Sequence, residues 1–503
     1  MRPRHLFIAI VILCANGLGG TLAADKPAVP PAGGKDPRDT PGYWLALAEH
    51  EPELTKRWDE ISEWIPWDNL ATGYAIIGDK AALERAIKQL EAAANAKLDA
   101  PNAPITDNGP AIRFFVAICA RITAGQKAQA KADLDRLAPR LPQKFDVRGP
   151  MMLDQSWAIF EQARQRARVG DATAITKDRK LMGDYYPVVR SCLRAGDAGE
   201  ASRITSLAVD RLKATGPDPK GEMSLDVGRC LSAVGRYDEA LALTSGKFEG
   251  GNQIDLYEAI ICDQFALPGH GKAAKTTELA WVALDHVKNS LSRCSNYLWM
   301  TRALGLDGPD APDALRTLDR IESQKLPANQ KEWIDFHLTR GTVLGKAGDL
   351  VAARKAMATG YAMLNGEGFS EDDWHIPSYV IKDLPGTMAA ETIECAKRSA
   401  EKRDKSDAVR MLAEHGRADL AFKQMAEWQI EPAPDVVRSV AAGWAKAGNR
   451  AGLEKWSRGQ ATRQLRTAAF IGAAEGLAGK QFLPAREDLR QPTSRVTTVP
   501  LFE

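Results

Sequence analysis

The chain of 503 residues has only seven histidines and seven cysteines, and neither type is spaced for chemistry. No H-E-x-x-H or C-x-x-C occurs, and no cysteine and histidine pairs stand at zinc-binding spacing, so no metal site is expected. G-x-S-x-G and G-x-x-x-x-G-K-[ST] are missing too, and Gly269-His270-Gly271-Lys272 lacks the strand that a phosphate loop should follow. Charge of one sign is also lacking: 67 Lys and Arg stand against 65 Asp and Glu, with no block of five or six like charges. So balanced a chain has no field to gather nucleic acid or an anionic membrane, and neither is an expected partner. Beyond residue 24 no apolar run approaches the roughly 20 residues of a bilayer span. No catalytic, cofactor-binding or metal-binding residue is therefore assigned, no cofactor is expected, and enzyme activity is the lesser expectation.

What is present begins with an export layout at residues 1–24. Arg2, Arg4 and His5 give a positive start, Leu6 to Leu13 an apolar run, and Thr21-Leu22-Ala23-Ala24 small residues for cleavage. A lipid anchor on Cys14 is the weaker alternative, because Leu13 is bulky where such signals carry Gly, Ala or Ser. Removal of this segment takes the formal charge from +2 to 0 and places the mature chain in the periplasm or outside the cell, without an integral membrane span. Residues 25–42, rich in Pro and Gly (Pro27, Pro30, Pro31, Gly33, Gly34, Pro37, Pro41), read as a flexible linker, with order expected from Tyr43. Residues 43–180 read as N-terminal helical hairpins, 181–480 as helical repeats and 481–503 as a disordered tail, helical periodicity being lost from Arg486.

The hairpins are legible in their turns. Glycine followed by a polar residue (Asp, Gln, Arg or Asn) recurs at Gly78, Gly125, Gly170, Gly196, Gly235, Gly348, Gly416 and Gly448, with weaker candidates at Gly271, Gly308, Gly386 and Gly479. From Gly196 onward the gaps run from 30 to 40 residues, the length of one helix-turn-helix unit. The stretch Val234-Gly235-Arg236-Tyr237-Asp238-Glu239-Ala240-Leu241 is the sharpest of them. In the helix from Ile254, Tyr257, Ile260, Ile261 and Phe265 form one apolar stripe that requires a neighbour to cover it.

With these residues the chain resembles the tetratricopeptide repeat family. Gly235 matches the family's turn glycine, Tyr237 its aromatic, Gly228 and Ala240 its small contact positions, and Leu241 the apolar residue that follows. Gly348, Ala353 and Gly341 match a second unit in which Leu350 replaces the aromatic. Gly196 with Ala201, and Gly416 with Ala421, keep the turn and one small residue, while beside Gly448 Leu453 stands where a small residue belongs. The resemblance implies an all-α fold, an α-solenoid of antiparallel helical hairpins wound as a right-handed superhelix, whose concave face holds a peptide or protein partner. It implies no substrate.

Cys119, Cys192, Cys230, Cys262, Cys294 and Cys395 remain after the signal, an even number that permits disulfides. From Cys192 to Cys294 the steps are 38, 32 and 32 residues, close to one repeat each, which places them at equivalent first-helix positions. The preferred expectation is buried thiols acting as small apolar residues, with bridges the alternative. His50, His270, His286, His337, His375 and His415 are widely separated and read as surface or packing residues. The cluster Gly368-Phe369-Ser370-Glu371-Asp372-Asp373-Trp374-His375 reads as a helix cap by Ser370 and Asp373, with an acid/base site as the alternative. Trp58, Trp64 and Trp67 read as a cap on the open end of the stack, with a stacking platform for carbohydrate or peptide as the alternative, and Trp444 and Trp456 as packing residues.

Together these features predict an exported helical-repeat protein that binds a protein or peptide partner in a scaffold or assembly role. The competing expectation is a carbohydrate-active lyase or hydrolase built as an α/α toroid, which would close into a ring with acids and aromatics gathered at one end.

Overall fold

The computed structural model describes residues 36–51, 66–96, 98, 104–105, 108–141, 162, 165–171, 185–194, 196–215, 221–244, 252–266, 274–287, 290–306, 310–327, 329–364, 378–399, 402–448 and 450–482. Every regular element among them is a helix. Chain order gives α1 Pro41–Glu49, α2 Pro66–Ile77, α3 Lys80–Asn95, α4 Asn108–Thr123, α5 Lys127–Leu137, α6 Tyr185–Arg194, α7 Ala198–Thr215, α8 Glu222–Ala233, α9 Tyr237–Leu243, α10 Asn252–Ala266 and α11 Ala274–Asp285. There follow α12 Ser290–Gly305, α13 Ala311–Ser323, α14 Gln330–Lys346, α15 Leu350–Leu364, α16 Ser378–Asp383, α17 Ala389–Arg398, α18 Lys402–Glu414, α19 Ala418–Glu427, α20 Pro434–Ala447, α21 Arg450–Arg458 and α22 Arg463–Ala478. The signal segment, most of the linker, Trp58, Trp64, His270, the 368–375 cluster, Gly271, Gly308 and the tail beyond Phe482 lie outside the described residues.

All eight principal turn glycines take positive φ, between 77° and 96°, and Gly479 joins them at 65°. Gly386 does not, and instead opens a 3-10 turn at Gly386–Met388. The turn at Gly235 shows why the glycine recurs. Its left-handed backbone lets the Gly235 amide reach Ser232 O at 2.9 Å and the Arg236 amide reach Leu231 O at 2.8 Å, satisfying the last carbonyls of α8. After three of these glycines an aspartate carboxylate starts the next helix: Asp79, Asp197 and Asp349 each accept from the amide three residues on, at 3.0 Å. One dipeptide therefore ends one helix and caps its successor.

Each even-numbered helix packs against the odd-numbered helix that follows it and also against the next even-numbered one, from α6 through α22 and from α2 to α4. Residues 165–171 carry the sequence of contacts from α4 and α5 to α6: Arg168 donates to Cys119 Sγ at 3.4 Å, Lys131 pairs with Asp171 at 3.1 Å, and Ala167 is buried beside Val188, Val189 and Cys192. Even helices touch one another more closely than odd ones do, so they form the tighter circuit. Small residues permit this. Between even helices, Gly228 lies where a Cβ would stand 2.6 Å from Leu256 of the next one, while Ala201, Ala240, Ala353 and Ala421, on odd helices, are fully buried against their even neighbours. At Gly443, Gly472 and Gly476 a Cβ would run into backbone of Ala413, Arg438 and Ala442, so α18, α20 and α22 meet main chain to side-chain-free main chain.

The circuit closes. α22 has no following helix among the described residues, and α1 takes that place. Contacts of Glu51 with Arg466 and of Trp44 with Phe470 show α1 running antiparallel to α22, as the second arm of any other hairpin would. Trp44, Leu45, Phe470 and Phe482 are fully buried in one core with Trp67 and Leu70 of α2, and Phe482 sits against Gly73. Trp67 is thus a seam residue, where an open end with a hydrophobic cap was expected. Order also begins earlier and ends later than expected. A 3-10 turn at Pro37–Asp39 precedes α1, Trp44 Nε1 donates to Arg38 O at 2.8 Å, and packing runs to Phe482, inside the segment read as tail.

Candidate functional site

Four of the repeat-spaced cysteines lie on even helices, Cys192 on α6, Cys230 on α8, Cys262 on α10 and Cys294 on α12, as the spacing predicted. All six are free thiols, and only Cys262 is less than buried. Burial pushes Cys192, Cys294 and Cys395 up to about 12 and Cys230 well above its ordinary value, which removes thiolate chemistry at neutral pH. The apolar stripe of α10 divides as an even helix requires: Ile260 packs toward α8, while Tyr257 and Ile261 pack toward α12.

The histidines do not converge. His50 closes α1 with its ring nitrogen 2.6 Å from Ala46 O, His286 is exposed after α11, His337 stacks on Trp333 at 5.9 Å, and His415 rests on Gly386. Burial lowers the His337 pKa. Among the described residues no three His, Cys, Asp or Glu side chains are placed to hold a metal ion. Trp444 and Trp456 meet Phe422 edge-on at 5.0 and 5.1 Å, the packing role expected of them.

Charged side chains, which sequence patterning did not single out, tie the even circuit together. Arg302 of α12 approaches Asp335 of α14 at 3.9 Å and lies over the Trp299 ring at 4.9 Å. Lys382 of α16 pairs with Asp407 of α18 at 3.3 Å, and Arg410 of α18 with Asp435 of α20 at 3.3 Å. Arg438 of α20 meets Glu475 of α22 with a 2.7 Å bond from Nε. Each link is a cation on one even helix and a carboxylate on the next, so the hairpins are keyed by charge as well as by apolar contact.

The densest group lies on α6, α8 and α10. Arg190 of α6 reaches Asp263 of α10 at 3.1 Å, and Arg229 and Ser232 of α8 stand beside the same carboxyl. Asp263 is 3% exposed. Burial pushes its carboxyl up to about 6 against the opposing pull of Arg190, the Ser232 hydroxyl and Arg229. Tyr186 lies under both guanidinium groups, 5.9 Å from that of Arg190 and 5.7 Å from that of Arg229. Burial first, and Asp263 second, push both Tyr186 and Tyr237 up to about 12. The sequence did carry one signal for this site: Asp263 interrupts the apolar run from Ile260 to Phe265, an acid where core is expected.

A small cavity between α3, α4 and α5, lined by Glu91, Phe114, Ile118, Asp133, Arg136 and Arg140, has about 10 Å³, room for about one water. No helix among the described residues is long and apolar enough to cross a membrane. No family model and no curated protein matches the chain.

Proposed function

We propose that this chain is an exported α-solenoid of the tetratricopeptide-like kind that binds a protein or peptide partner along the wall of its even-numbered helices, in a scaffold or assembly role. The observation that carries this reading is the succession of even helices packed side by side, with cation–carboxylate pairs linking neighbours. A partner lying across such a wall meets one hairpin after another, which is how stacked helical units recognise extended ligands. Trp299 under Arg302 offers one amphipathic contact of the kind that dominates binding energy. Residues 1–24 supply the export half of the proposal.

The test uses the full chain with a photo-crosslinking side chain at Trp299 on α12 or at Val351, 82% exposed on the odd helix α15. Crosslinking in envelope extract should give a defined adduct from position 299 and none from 351. Equal adducts from both positions, or none from either, refute the wall as the binding surface. Cleavage after Ala24, read by N-terminal sequencing of the extracted protein, tests export separately.

A second reading has one specific observation in its favour: the antiparallel pairing of α1 with α22 is the closure that an α/α-toroid carbohydrate-active enzyme would require. Release of reducing ends, or of unsaturated uronate, from acidic and neutral polysaccharides would support it. The absence of both products across a panel, beside a positive crosslink at 299, decides for binding.

A further inference from the structure

Asp263 of α10 is held from the two preceding even helices at once. α6 brings Tyr186 and Arg190, α8 brings Arg229, Cys230 and Ser232, and Tyr237 at the start of α9 also faces the carboxyl. Of the charged groups on α11 and α12, which also pack on α10, Lys275 pairs with Asp238, Asp285 with Arg320 and Arg302 with Asp335, and Glu278 and Arg293 complete the set. Asp226 of α8 accepts the amides of Tyr185 and Tyr186 at 3.1 and 3.2 Å, fixing the start of α6. The carboxyl of Asp263 is therefore the one acid set between two arginines in this group, and the 3.1 Å bond to Arg190 crosses α8, which packs against both helices it joins.

We propose that Arg190, Arg229 and Asp263 form a proton-operated brace: ionised Asp263 ties α6 to α10 across α8, and protonated Asp263 releases that tie, so that the three hairpins change their mutual curvature. The physics is local. Loss of the carboxylate leaves two guanidinium groups beside one tyrosine ring with no counter-charge between them, and Arg190, whose side chain is 29% exposed, swings toward water. Burial that raises the carboxyl to about 6 brings the transition into a range an envelope compartment can reach. Because the folded pKa lies above the ordinary 3.8, the protonated form is favoured by folding; this stabilisation is fully present below 3.8 and is lost as pH rises through about 6. Withdrawal of Arg190 removes the largest pull that lowers this carboxyl and leaves it buried, so the released form binds the proton more tightly than the tied form and acid favours release. None of this depends on which partner the wall binds.

Hydrogen exchange of the full chain, corrected for the intrinsic effect of pH, tests the proposal through the amides of α6 at about pH 4.5 and about pH 7.5. The wild type should exchange α6 about threefold or more faster at the lower pH, with α20 and α22 unchanged as internal controls. Asp263→Asn should exchange α6 at the fast rate at both pH values, and Arg190→Gln should do the same. A wild type without pH dependence in α6, or an Asp263→Asn variant that keeps the wild-type response, overturns the brace. If Asp263→Asn does not fold, Arg190→Gln decides alone: an undiminished wild-type response in that variant refutes the proposal.

Discussion

The hydroxyl of Tyr43 donates a 3.0 Å hydrogen bond to Glu454 Oε1, joining residues 411 positions apart. Arg450 with Asp39 at 3.2 Å and Arg466 with Glu51 at 3.0 Å flank it, so the first described helix is bound to the last two by both charge and core. Trp44 is the buried anchor of that seam. Replacing it with alanine should lower the unfolding free energy by about 3–5 kcal/mol. Urea denaturation followed by circular dichroism measures the loss, and small-angle scattering should show the ring expanding before global unfolding. An unchanged urea midpoint would mean that the seam does not hold in solution.

Gly443 and Gly228 separate two kinds of close approach. A methyl group at Gly443 meets the backbone of Ala413, which cannot rotate away, whereas one at Gly228 meets the flexible Leu256 side chain. Gly443→Ala should therefore cost about 1–3 kcal/mol or more, and Gly228→Ala clearly less. Equal urea midpoints for the two variants would contradict this account of the even-helix contacts.

Glu49 gives the docking of α1 on α2 and α3 an acid limit. Burial pushes its carboxyl up, but hydrogen bonds from Arg85 and Tyr74 outweigh it and hold the pKa below the ordinary 4.5. The sign follows from linkage: stability from this carboxylate is present above 4.5 and is lost as pH falls through the lowered native value. Glu49→Gln should destabilise at neutral pH, and the gap to the wild type should shrink on acidification below 4.5. Thermal melts of both proteins across that range check it, and a gap that widens on acidification would reverse the assignment.

The thiols should divide by burial. Cys262, the half-buried one, should be alkylated first by iodoacetamide in the folded protein, while Cys192, Cys230, Cys294 and Cys395 should react only on unfolding. Peptide mass mapping after timed quenching reads the order. Early modification of Cys230 would show that the α6–α8–α10 group is open to solvent.

Much of the helical architecture was legible because local chemistry repeats. Every principal turn glycine takes a left-handed conformation, and the aspartates that follow Gly78, Gly196 and Gly348 cap as their side chains dictate. Gly228, Ala240, Ala353 and Ala421 fall at close contacts because only small residues fit there. The seam was not legible. Nothing in Trp44 or Trp67 distinguishes an end cap from a partner for a helix more than 400 residues later, since both roles ask only for a large apolar surface. The charge links between even helices escaped for a similar reason. Arg190 and Asp263 carry no spacing signature, and their meeting depends on α8 holding two helices at one level. Only the acid at position 263, set within an apolar stripe, stood out against its surroundings.

The pairing of α1 with α22 also sets an order of events during synthesis. α1 emerges from the ribosome early, yet its antiparallel companion is among the last helices to be translated. Trp44 and Leu45 must therefore wait exposed, or find provisional shelter, while the intervening hairpins assemble on their neighbours. Joining the two ends first would close a loop of several hundred residues, whereas stepwise assembly brings them together at little further entropic cost. Final docking should then be the slow step of refolding, and a chaperone that shields the early helix would act upon it.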